Sequence, residues 1–197
     1  MADVKLQIQR ILKGDKAAFR ALVEQHQRLV SHIVFRIVSH KEDREDTCQE
    51  VFLKIYQNLG NFRSESKLST WIAKIAYNTC IDYLGKRKLT LLSELGSCGD
   101  DLSFEEKSFE SFSEDNKQPD KLLDKREISL LLQVEIDRMP VHFRTILTLY
   151  HLDGMSYYEI GEILSLPEGT VKSYLFRARR LLKERLLAKY QLEDLCH

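Results

Sequence analysis

The chain has 197 residues, with 30 Lys or Arg against 30 Asp or Glu and a formal net charge of zero. That length suits one or two compact domains, and the neutral total hides a strong segregation of charge along the chain. The cysteines (Cys48, Cys80, Cys98, Cys196) lack the paired spacing of a zinc or dithiol site, and no apolar run is long enough to span a membrane; a reducing, cytoplasmic setting without membrane insertion is expected.

Met1 to Arg10 alternates charged and apolar residues and carries no apolar run of signal-peptide type. Residues 16–39 bear Phe19, Leu22, Val23, Leu29, Val30, Ile33 and Ile37 at helical spacing, sustained over several turns. His26, His32 and His40 lie along or after this stripe. A metal site would need ligands converging from another element, and none presents itself. They read as solvated or boundary histidines, and neither a metal nor a cofactor is expected.

A second helix is predicted from about residue 43 to 59, stopped by Gly60-Asn61. Cys48, Val51, Phe52, Ile55 and Leu59 form its apolar face, while Glu42, Asp43, Glu45, Asp46, Gln49 and Glu50 crowd its first turns. The helix dipole accounts for one or two acids at a start. These continue onto an exposed side, which suggests a polar surface for docking another protein.

The loop Asn61-Phe62-Arg63-Ser64-Glu65-Ser66-Lys67-Leu68 leads into a third helix, predicted over residues 69–84, with Ile72, Ile75, Ala76, Thr79 and Tyr83 on its buried line. Trp71, the single tryptophan, is by default a core residue. Asn78 on the flank, with Lys74 one turn earlier and Lys86-Arg87-Lys88 beyond, permits contacts to a nucleic-acid strand, since single-stranded bases call for aromatic and polar groups beside a basic edge.

From Ser93 to Asp120 nine acids stand against two lysines, and no helical or strand period persists. This is a tether, with Phe104, Phe109 and Phe112 as apolar members able to dock. Residues 122–139 resume a helix through Leu123, Ile128, Leu131, Leu132 and Ile136 and stop before Pro140. Another helix through Phe143, Ile146, Leu147 and Tyr150 stops at Gly154. The fold class is all-α: two helical domains joined by an acidic linker.

The stretch from Met155 to Arg180 holds two helix starts. Ser156 with Glu159, and Ser165 with Glu168, each fit a reciprocal capping box, and Pro167 suits a first turn. Gly161 is small where the two helices would cross, so the segment reads as a helix-turn-helix. Val171, Leu175, Ala178 and Leu182 should face inward, leaving Lys172, Ser173, Phe176, Arg177 and Arg180 outward. From Lys172 to Lys189 seven basic residues stand against one acid, Glu184. A basic face alone would equally suit a solvated helical hairpin. The two starts, the glycine and the basic outer side together point to duplex DNA.

Three segments, in order, carry a resemblance: Asp43 to Lys54, Ser69 to Asn78, and Gly169 to Arg179. They resemble bacterial RNA polymerase sigma factors of the sigma-70 family, most of all the short extracytoplasmic-function (ECF) group. The resemblance implies a sigma-2 domain over residues 1–90, the linker over 91–121 and a sigma-4 domain over 122–190. It implies that Asp46, Gln49, Glu50 and Leu53 dock on core RNA polymerase. It implies that Asn61, Phe62, Arg63, Ser66, Lys67, Leu68, Trp71 and Asn78 recognise and melt the minus-ten element of promoter DNA. Lys172, Ser173, Phe176, Arg177 and Arg180 would read the minus-thirty-five element. An anti-sigma factor is a further partner it implies. Tyr174 stands where the family commonly has a basic residue, and Gly85 interrupts a helix end that is usually basic. In the family the linker threads the exit channel for nascent RNA, so this acidic run is either a mimic of the RNA backbone or a plain tether. The alternative function is a stand-alone helix-turn-helix regulator that binds duplex DNA without polymerase. No catalytic triad order, phosphate loop or metal-ligand spacing indicates an enzyme.

Overall fold

The structure, a computed structural model, describes residues 2–94 and 125–189. All regular elements in them are helices: α1 (Ala2–Leu12), α2 (Lys16–Ile37), α3 (Lys41–Asn58), a 3-10 turn (Leu59–Asn61), α4 (Leu68–Glu94), α5 (Lys125–Asp137), α6 (Val141–His151), α7 (Tyr157–Leu164) and α8 (Glu168–Lys189). The acidic tether, with its three phenylalanines, lies outside the described residues. Among the described residues no helix is long and apolar enough to cross a membrane, and no cluster of His, Cys, Asp or Glu could hold a metal ion.

The N-terminal bundle is built on α2. Gly14 turns the chain at φ 90°, and Asp15 then caps α2 by accepting from the backbone N–H groups of Ala17 and Ala18 at 3.0 and 3.1 Å. These bonds, the Ala18 amide foremost, hold the Asp15 carboxyl below its usual range. Leu22, Val30, Ile33, Val34 and Ile37 of α2 are buried against Val51 and Ile55 of α3 and Ile72, Ala76 and Cys80 of α4. Burial pushes the Cys80 thiol up to about 12, the behaviour of an inert core thiol.

Two expectations from the sequence change here, and one element is added. The added element is α1, in which Val4, Ile8 and Ile11 recur at helical spacing and pack on the bundle despite the charges between them. The helix predicted over residues 69–84 runs on to Glu94, with Gly85 inside it. A helical glycine costs about 1 kcal/mol relative to Ala; on either side of it Tyr83 donates to Asp43 of α3 and Arg87 donates to both of them. The second correction concerns Ser165 and belongs to the helix-turn-helix.

The C-terminal bundle has Ile146 and Leu149 of α6, Ile160 and Ile163 of α7 and Val171, Leu175 and Ala178 of α8 at its centre. It packs on the first bundle along two lines, α6 against α2 and α7 against α4. One continuous buried cluster runs through both.

Candidate nucleic-acid interface

The helix-turn-helix is fixed by backbone chemistry before any outer residue matters. Ser156 Oγ accepts from the Glu159 amide at 3.3 Å, and the Ser156 amide donates to Glu159 Oε2 at 2.9 Å, so the first capping box is formed. The second is not. Ser165 is the left-handed C-cap of α7, at φ 56° and ψ 44°, a conformation that an N-cap residue does not adopt. Helix α8 instead begins after Pro167, whose carbonyl accepts from the Thr170 and Val171 amides at 2.9 and 3.1 Å. The left-handed serine swings Leu166 back so that its amide donates to the Gly161 carbonyl at 2.9 Å. A Cβ on Gly161 would lie 2.7 Å from the Leu166 carbonyl oxygen, so the residue must be glycine because of the turn itself.

This turn sets the rotation of α8. Val171, Leu175 and Ala178 are buried, while Lys172, Ser173, Phe176, Arg177 and Arg180 are all exposed along one side. Phe176 is 68% exposed, unusual for an aromatic with no role in folding. Lys172 pairs with Glu168 at 2.7 Å, which raises its pKa, and lies over the Tyr157 ring at 5.4 Å. Arg180 pairs with Glu184 at 2.7 Å and Ser173 donates to the Thr170 carbonyl at 2.9 Å. Arg177 has no partner among the described residues.

Sequence periodicity missed a second group beside this side. Tyr150 and Tyr157 stack with ring centroids 5.3 Å apart, and Arg179 lies over Tyr150 at 5.1 Å. Arg179 also donates to His151 Nε2 at 3.2 Å. Burial and the neighbouring Arg179 charge hold the His151 pKa down. These residues come from three helices, so no local pattern announced them.

In the N-terminal bundle the predicted minus-ten residues are gathered around the start of α4. Asn61 ends the 3-10 turn, and Phe62 follows it with its ring 5.4 Å from that of Trp71, tilted by 59°. Trp71 is half-buried, Leu68 is buried and Ser66 is half-buried, while Arg63 and Lys67 are exposed. Asn78, exposed two turns beyond Trp71 on the same side of α4, extends the line. Ser64 adopts a left-handed conformation at φ 57°, which bends the loop back toward the helix.

The predicted docking residues Asp46, Gln49, Glu50 and Leu53 form one exposed stripe of α3, with Leu53 56% exposed. Glu50 pairs with Lys54 at 2.9 Å. Gln49 and Leu53 also line an apolar groove of about 680 Å³ between α2 and α3, with Phe19, Val23, Phe52 and Tyr56 as its walls.

A turn-oriented helix with an exposed polar and aromatic side, joined in one chain to a second helical bundle bearing an aromatic loop, defines the class: a two-domain, all-helical DNA-reading protein. Residues 22–90 match the family description "Sigma-70 region 2" and residues 129–182 match "Sigma-70, region 4". The chain is 35% identical over 184 residues to the ECF RNA polymerase sigma-E factor of Escherichia coli (strain K12), covering 91% of this chain and 92% of that one. It is 33% identical over 184 residues to the RNA polymerase sigma-H factor of Pseudomonas aeruginosa, covering 91% of each. The fold resembles the sigma factor RpoE of Bartonella quintana, solved with the anti-sigma factor NepR, with a TM-score of 0.63, 20% identity and coverage of 87% of this chain and 98% of that chain. The chain belongs to the ECF group of the sigma-70 family, a family of transcription initiation factors rather than enzymes.

Proposed function

We propose that this chain binds core RNA polymerase and directs it to promoters, reading the minus-thirty-five element as duplex through α8 and opening the minus-ten element at the loop before α4. The observation that carries this is the pairing, in one chain, of two matched regions with different chemistry. The exposed side of α8 offers Lys172, Ser173, Phe176, Arg177 and Arg180 to a major groove; Arg177, unpaired, suits a bidentate contact to a guanine edge. The Phe62–Trp71 pair, with Asn61, Arg63, Ser66, Lys67, Leu68 and Asn78 about it, suits an extruded base of the non-template strand. Extrusion costs a few kcal/mol of stacking, and aromatic contacts return about 1–3 kcal/mol per base.

Asp46, Gln49, Glu50 and Leu53 form the docking stripe for the polymerase. The sigma-2 domain spans residues 1–90, the acidic linker 91–121 and the sigma-4 domain 122–190. The protein works in the cytoplasm, where polymerase and promoter are. An anti-sigma factor is its regulatory partner, as NepR is for the Bartonella protein.

In-vitro transcription with core polymerase over a promoter library tests the reading. Promoter-specific initiation that needs this chain is the expected result. Tight, sequence-specific binding of duplex DNA by the chain alone, without initiation when polymerase is added, would identify a stand-alone regulator instead. Charge reversal at Asp46 and Glu50 should weaken co-purification with core polymerase while leaving the helical content unchanged.

A further inference from the structure

Arg179 is not among the five residues of α8 proposed to read the duplex, yet it belongs to a group that three helices assemble. Tyr150 is the last residue but one of α6, Tyr157 is the first of α7, and Arg179 stands in the middle of α8. The two tyrosine rings lie within 11° of parallel, with centroids 5.3 Å apart. Arg179 lies over the Tyr150 ring at 5.1 Å, and its Nε and Nη2 are each 3.2 Å from His151 Nε2. Lys172 lies over the Tyr157 ring at 5.4 Å. Both rings are half-buried and both cations are exposed.

The arginines of α8 differ in what holds them. Arg180 pairs with the Glu184 carboxylate at 2.7 Å, and Arg185 donates to the Arg138 carbonyl at 2.8 Å. Arg179 is held by an aromatic face and an imidazole, and among the described residues no carboxylate lies within ion-pair distance of it. A cation over a ring keeps its charge. It has also given up part of its side-chain freedom, so less is lost when an anion arrives. No ion pair has to be broken first.

The position of the group fits an anion of one kind. Lys172 and Arg179 are seven residues apart, so they share one edge of α8, about 10 Å apart along its axis. Ser173, Phe176, Arg177 and Arg180 face further round the outer side. A helix in a major groove has base edges beneath the middle of its outer side and a sugar-phosphate strand along each border. Tyr150 and Tyr157 stand on the border that Lys172 and Arg179 mark.

We propose that Arg179 is a further DNA contact of this chain, meeting a backbone phosphate beside the minus-thirty-five groove, and that Tyr150, stacked on Tyr157, is the positioning residue that holds it there. The assignment rests on the duplex-reading role proposed for α8. A phosphate contact carries no sequence information; it fixes the register in which Phe176 and Arg177 meet the bases. A group that only joined α6, α7 and α8 would affect folding and leave the salt dependence of binding untouched.

The test uses the full chain with core polymerase. Binding is measured to a duplex promoter drawn from the library and to the same duplex with its minus-thirty-five element scrambled, between about 50 and 200 mM salt. Arg179→Met keeps a long side chain and removes the charge. It should weaken both duplexes alike and reduce the slope of log affinity against log salt by about 1, at unchanged thermal unfolding. Tyr150→Leu keeps apolar bulk and removes the ring face. It should weaken both duplexes severalfold with the slope unchanged, because the charge remains but is no longer held. Tyr150→Phe, which keeps the ring, should recover most of that affinity. A wild-type slope in Arg179→Met, or an altered preference at a single base pair, would overturn the phosphate contact. Wild-type affinity in Tyr150→Leu, or equal losses in Tyr150→Leu and Tyr150→Phe, would overturn the positioning role. Arg179 is exposed, so Arg179→Met decides the contact even where Tyr150→Leu fails to fold. Equal binding of the promoter and the scrambled duplex by the wild type would instead refute the duplex-reading role, and the slope of Arg179→Met would still decide whether Arg179 meets a phosphate.

Discussion

The side of α8 and the loop before α4 differ in how their geometry is fixed. On α8 a rigid turn does the work: Gly161, left-handed Ser165 and buried Val171, Leu175 and Ala178 settle which side faces out before any DNA is present. At the loop, Phe62 and Lys67 precede α4 and Trp71 lies in its first turn, and Lys67 pairs with Glu159 of the other bundle. Reading intact duplex needs a preformed surface that fits a groove of constant shape. Capturing a base needs a site that is useful only after the base has left the stack. The first surface is fixed by a turn, whereas the second keeps Arg63, Lys67 and Asn78 exposed and meets the C-terminal bundle through the Lys67–Glu159 pair.

The largest expected effect separates fold from reading on adjacent residues of α8. Leu175, 1% exposed, anchors the helix, and Leu175→Ala should cost about 2–5 kcal/mol of unfolding free energy. Its neighbour Phe176 is 68% exposed, so Phe176→Ala should change stability by no more than about 0.5 kcal/mol while weakening minus-thirty-five binding. Thermal unfolding beside promoter binding by the polymerase complex measures both. A strong loss of stability in Phe176→Ala would break the division between inner and outer sides.

A second effect divides the outer side itself. Arg177→Ala should cost about 1–3 kcal/mol and alter the preference at one base pair. Lys172, held by Glu168 and Tyr157, is placed for a phosphate, so Lys172→Ala should weaken all sequences alike and flatten the salt dependence. A promoter panel in which Arg177→Ala lowers every sequence equally would make it a backbone contact.

The smallest effect concerns the loop and its pair with Glu159. Burial alone would push the Glu159 carboxyl up, but the Ser156 amide and Lys67 hold it at about 2, below its ordinary 4.5. The sign follows from a lowered folded value: its contribution to the state with the capping box closed and Lys67 bound is present above the ordinary carboxylate range and is lost as pH falls through about 2. A carboxyl titration by NMR should find that midpoint, and Lys67→Ala should move it upward. A wild-type midpoint near 4.5 would mean that neither bond persists in solution.

Much of the fold was legible because helical period and caps are local. The stripe from Phe19 to Ile37 placed α2, and Val171, Leu175 and Ala178 gave the inner side of α8. Local patterns also misled where two geometries share one signature. Ser165 and Glu168 have the spacing of a capping box, yet serine here takes the left-handed conformation usually left to glycine, because the turn to Gly161 demands it. In α1, charges between Val4, Ile8 and Ile11 masked a short stripe. The candidate surfaces were legible as residue types on named helices, including Asn78 and Arg177. The contact between the two bundles was not, since Lys67–Glu159, Arg36–Asp137 and His32–Asp153 join residues far apart in the chain. Periodicity says which side of a helix is covered, not by what.

Strand opening tests the division between the two surfaces most directly. The measurement is permanganate reactivity of promoter thymines with core polymerase and either wild-type chain, Asn78→Ala or Arg177→Ala. Asn78→Ala should leave closed-complex formation on duplex largely intact and reduce opening, because its contact exists only once the base is extruded. A promoter carrying a pre-opened minus-ten bubble should restore much of the lost transcription. Arg177→Ala should instead weaken the closed complex, and the bubble should not repair the lost duplex reading. Normal opening with Asn78→Ala, or equal rescue of both variants by the bubble, would contradict the assignment of duplex reading to α8 and strand capture to the loop before α4.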